Sequence, residues 1–246
     1  MSFDRLRYEL KLAWKTMILV PILVLGVVGL FVLLQLFLHQ SPAHSLLSEA
    51  EVFLPLATGV VAGAIIAQDT ALELHLTMPR KYQMTGMLRL LLLLSWTACL
   101  AMLCIGSIAM LKILYMPVFT QSWLPLVQFL TIQLLWLAPL LWFIALGSCL
   151  ALLTQSRTAC STLLGIIWLT DILFAQSIAS TSWLRPILLF PTTLTLYPAT
   201  NVSQADFKEY WLTTRFELLG TAFVVVMLSW LLLRNTERLL KGATEE

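Results

Sequence analysis

Six apolar runs, separated by short polar clusters, set the pattern of the chain: about residues 17–38, 52–68, 87–111, 124–153, 162–175 and 216–233. A helix of roughly 20 apolar residues, rising about 1.5 Å per residue, crosses a hydrocarbon core near 30 Å thick. The pattern therefore predicts six transmembrane helices, the fifth needing flanking residues to complete its crossing. Ahead of the first run, Phe3, Leu6, Leu10 and Trp14 recur at helical spacing, with Asp4, Arg7, Lys11 and Lys15 around the rest of the turn. That spacing predicts a short interfacial helix over 1–15, with Trp14 at headgroup level. Gly59, Ala62, Gly63 and Ala64 give the second run a small-residue face suited to close helix contact, and Gly26 and Gly29 give the first a weaker one.

Between the second and third runs lies the most polar break, from Gln68 to Arg89. Asp69 or Thr70 can cap a helix there, Leu72 and Leu76 share one of its faces, and Pro79 stops it before Arg80 and Lys81. The resulting helix, 69–79, is too short and polar to span lipid. It reads either as a loop with one amphipathic turn or as a handle for a soluble partner, held at both ends by spans.

Polar residues inside the apolar runs are few. Gln128 and Gln133 interrupt the fourth, and a buried amide needs a partner within the bundle, so both are expected to face the interior rather than lipid. Asp171 is the only acid deep within a run. It reads either as part of a conduit or inter-span lock, or as a structural polar contact or a position at the outer boundary. Residues 176–214 contain an apolar piece broken by Pro186, Pro191 and Pro198, which fits a re-entrant or interfacial hairpin better than a span. Tyr210 and Trp211 would anchor its end. Glu49 and Glu51 fall in the short polar loop expected over 39–51.

Composition makes the membrane reading firm. Of 246 residues, 59% are hydrophobic and 11% charged, and a chain with a mean hydropathy of +0.88 has too little polar surface to clothe a soluble core. The net charge of +2 matters less than its distribution. With the N terminus in the cytoplasm, only Lys112, Arg185, Lys208 and Arg215 of the 15 basic residues lie outside. Both termini are then cytoplasmic, in a multi-pass protein of the cell membrane. Cys99, Cys104, Cys149 and Cys160 lie in or beside apolar runs without metal-site spacing, as small buried residues. No phosphate-binding loop, HExxH or GxSxG occurs, so the chain is not expected to bind ATP, a metal or another cofactor itself, to act as an enzyme alone, or to bind nucleic acid.

Leu72-Glu73-Leu74-His75-Leu76-Thr77-Met78-Pro79, with Asp69 before it and Lys81 and Arg89 after it, resembles the coupling-helix region of ABC-2 type transporter permeases. Glu73 takes the place of the motif glutamate and Pro79 that of the proline, while Thr70-Ala71 stand where Gly-Thr is usual. The resemblance implies an all-α polytopic membrane protein: six spans, an N-terminal interfacial helix, a cytoplasmic coupling helix between spans two and three, and a re-entrant hairpin between spans five and six. It also implies a homodimer or heterodimer of permease subunits in the bilayer, each seated on a cytoplasmic ABC ATPase that holds ATP and Mg. The cargo class is a peptide, drug, lipid or glycan. Asp69, Leu72, Glu73, Leu76, Pro79, Arg80 and Lys81 would contact the ATPase, with Arg7, Lys11 and Trp14 assisting. The alternative is a non-transporting membrane subunit for sensing, immunity or anchoring; ATP-dependent movement of a substrate separates the two.

Overall fold

The computed structural model describes residues 3–40, 42–67, 82–110, 123–181, 183–184, 187–192 and 204–233. Most of these residues are helical, and no strand occurs among them. Helix α1, Phe3–Phe37, is one continuous element of 35 residues. The expected interfacial helix is therefore not a separate unit, and no glycine or proline breaks the chain between Trp14 and Leu19. Trp14 is half exposed on it.

The second span starts earlier than the hydropathy pattern predicts. Helix α2, Ala43–Ser48, runs into a π-helical turn, Glu49–Phe53, and then into α3, Leu54–Ala67. Glu49 and Glu51 thus lie inside a helical stretch rather than in a loop. Helix α4 is Tyr82–Met110, α5 Pro125–Thr154, α6 Arg157–Leu173, α7 Ala175–Ser180 and α8 Gln204–Leu232. Helix α8 absorbs residues 204–215, which were expected to be an interfacial segment and outer loop. Five described stretches are long and apolar enough to cross a membrane: Thr16–Phe37, Ser45–Ala67, Met84–Ser107, Pro125–Thr154 and Trp211–Leu232. The fifth apolar run forms α6, which has 17 residues.

Helix α5 is the central post, packed by α3, α6 and α8. Its contact with α3 depends on glycine at both faces. A Cβ added to Gly147 would lie 2.2 Å from the Gly59 carbonyl oxygen, and one added to Gly59 would lie 2.8 Å from that of Phe143. A Cβ on Gly63 would meet the Cys160 Sγ of α6 at 2.6 Å. The small-residue face predicted for the second span is thus a backbone-to-backbone contact. Gly26 and Gly29 have open space instead.

The turn from α5 to α6 needs two residues. Gln155 adopts a left-handed φ of 53° and donates its N–H to the Ala151 carbonyl, 2.9 Å away. Ser156 then caps α6 by accepting the Ala159 N–H at 3.4 Å. Beyond α7, residues 188–192 are buried, and the Phe190 ring stacks on Phe143 of α5 at 6.1 Å between centroids. Residues 188–192 of the proline-broken piece therefore fold back into the bundle. Helix α1 and the later part of α8 leave most of their apolar surface uncovered by the chain.

Candidate functional site

Folding back segment 187–192 requires its backbone polar groups to find partners away from water. Three charged side chains meet that need. Asp171, near the end of α6 and 2% exposed, accepts the Leu189 N–H through both carboxylate oxygens, at 3.4 and 3.3 Å. Arg215, in the first half of α8, donates to the Leu189 carbonyl at 3.2 Å. Glu51, on the π-helical turn, accepts the Thr192 N–H at 3.1 Å.

Glu51 and Arg215 form an ion pair, with both side chains at 0% exposure. Arg215 also donates to Thr192 Oγ1 at 3.2 Å, and that hydroxyl accepts the Trp211 indole N–H at 2.9 Å. The guanidinium lies over the Trp211 ring, 5.6 Å from its centroid. Removing both charges from water costs several kcal/mol per ion, and these extra hydrogen bonds offset part of that cost, with the Arg215 Nε left without one. The arrangement is a structural clamp: it joins the second span, α6 and α8 through one irregular segment.

The local cause is the π-helical turn. An i→i+5 turn accommodates an extra residue within an otherwise α-helical stretch and re-aims the side chains on either side of it. Here Glu51 reaches Arg215, while Glu49 is also buried but its carboxylate oxygens make no hydrogen bond. Among the described residues no group of three side chains is placed to hold a metal ion. Ser148, Ser156 and Ser161 have structural partners: Ser148 donates to the Ile144 and Ala145 carbonyls, Ser156 caps α6, and Ser161 donates to the Thr158 carbonyl.

Of the residues expected to be functional, Asp171 enters this clamp. Gln128 and Gln133 are half-buried and engage local partners: Gln128 donates to the Trp123 carbonyl at 3.1 Å, and Gln133 accepts the Trp136 indole N–H at 2.8 Å. Asp69, Leu72, Glu73, Leu76, Pro79, Arg80 and Lys81 lie outside the described residues, as do the side chains of Arg7 and Lys11. The Glu51–Arg215 pair was missed. Its only sequence signal was an acid at the start of one apolar run and a base at the start of another, which charge rules place in water. Cys104, Cys149 and Cys160 are buried as expected, whereas Cys99 is exposed, and all four are free thiols.

The fold defines a class: an all-helical chain with several helices fit to cross a bilayer, organised around one central helix. Comparison of the chain with protein-family models, with curated proteins and with solved structures found no match in any of the three.

Proposed function

We propose that the chain is the membrane-spanning permease subunit of an ATP-driven exporter, coupled to ATP hydrolysis by a separate cytoplasmic ATPase. The observation that carries the reading is the stretch Asp69 to Pro79 and its position. It bears the acidic and apolar residues of a coupling helix, and it joins two helices, Leu54–Ala67 and Tyr82–Met110, that belong to stretches fit to cross a membrane. Glu73 pairs with a basic residue of the ATPase, and Leu72 and Leu76 fill an apolar groove in it. The basic residues Arg80 and Lys81 sit at the cytoplasmic surface, along with both termini.

In this orientation the Glu51–Arg215–Asp171 clamp belongs to the outer half of the bundle, and segment 187–192 is the inner limb of a re-entrant hairpin. Two permease subunits, identical or different, then form the path for a peptide, drug, lipid or glycan, with ATP and Mg held on the partner. Purification in mild detergent followed by mass spectrometry tests the assignment. A stoichiometric protein with a phosphate-binding loop should co-purify and be lost when Glu73 and Leu76 are replaced by Lys and Asp. Retention of that protein by the correctly inserted variant would remove the docking role, and absence of any ATPase under several mild conditions would favour a sensing or anchoring subunit.

A further inference from the structure

Glu49 takes no part in the clamp. It is 1% exposed, and neither of its carboxylate oxygens has a hydrogen-bond partner. An ionised carboxylate in that setting demands a counter-charge, because an isolated ion away from water costs many kcal/mol and the group neutralises instead.

Among the described side chains, the elements packed against the π-helical turn supply no such charge. Helices α3 and α5 contain no Asp, Glu, Lys, Arg or His at all. The ionised residues of α1 all precede Thr16, about 30 Å along the helix from Gln35, whose amide oxygen accepts the Ser45 hydroxyl beside the turn. On α4 the only charged residue is Arg89, about four turns before Cys104, and the Cys104 thiol is the group within electrostatic reach of Glu49. His44 belongs to α2, with its side chain outside the described residues. On the other side, Arg215 is engaged by Glu51, and Asp171 by the Leu189 N–H. With no group of three metal-ligating side chains among the described residues, the smallest cation is the one that fits.

We propose that Glu49 is a proton-binding site, its carboxyl held as the neutral acid in the folded bundle by an apolar surround and a π-helical turn that gives it no partner. The inference stands independently of the exporter reading. Because the folded bundle holds the proton and the unfolded chain in water does not, acid favours the folded form.

The test is infrared difference spectroscopy on the full chain in lipid nanodiscs at neutral pH, wild type minus Glu49→Gln. The carbonyl stretch of one protonated carboxylic acid is expected in the difference, and Glu49→Gln, which mimics the neutral acid in shape, should fold with an unchanged or higher thermal midpoint. A carboxylate stretch in its place overturns the proposal. So does stabilisation of the wild type by Na⁺ or K⁺ that Glu49→Gln abolishes, which would make the ligand a metal cation. Should Glu49→Gln not fold, Glu49→Asp must keep the acid band at a shifted frequency, and its loss overturns the proposal equally.

Discussion

Removing Arg215 while Glu51 stays in place should be among the most damaging single changes in the bundle. In Arg215→Met the stem is replaced by apolar volume, but Glu51 is left as a carboxylate at 0% exposure without its counter-charge. Breaking a buried pair in this way costs about 3–5 kcal/mol. The Leu189 carbonyl and the Thr192 hydroxyl also lose a charged donor each. Glu51→Leu should cost a similar amount, for the reciprocal reason. The double variant Glu51→Leu with Arg215→Met leaves no uncompensated charge and should recover most of the loss, within about 1–2 kcal/mol of wild type, as buried pairs replaced by apolar residues do. Unfolding in mixed micelles, followed by tryptophan fluorescence, reads all four proteins, since Trp211 lies against the guanidinium and reports its removal. If both single variants unfold within about 1 kcal/mol of wild type, or if their losses simply add in the double variant, the two side chains are not coupled and the clamp is refuted.

Other outcomes follow from the same geometry. Gly147→Ala puts a methyl 2.2 Å from the Gly59 carbonyl oxygen, and should cost about 1–3 kcal/mol or more in the same unfolding assay. Gly26→Ala, which meets nothing within 4 Å, should stay within about 0.5 kcal/mol. Asp171→Asn keeps an oxygen to accept the Leu189 N–H and should be tolerated. Asp171→Leu leaves that N–H unpaired and should cost about 1–3 kcal/mol, with earlier hydrogen exchange at Leu189. Equal exchange in the two variants would show that Asp171 does not hold the segment.

Much of the bundle was legible because the bilayer imposes simple rules. Length and apolarity alone located the fourth span, expected over 124–153 and found as Pro125–Thr154. Gly59 and Gly63 announced the close contact of α3 with its neighbours, and the prolines at 186 and 191 bracket the non-helical residues 188–190. Helix ends were less legible wherever charge lay at an apolar boundary. Glu49, Glu51 and Arg215 were assigned to water because an unpaired charge belongs there, and the start of α8 and of the second span moved with them. Composition and order along the chain therefore determine that the protein is a helical membrane bundle with a polar break over 68–89. Only the tertiary structure decides that a glutamate and an arginine 164 positions apart neutralise one another. The reason is physical: hydropathy is a property of one segment against solvent, whereas the cost of a buried charge depends on a partner that only folding brings near.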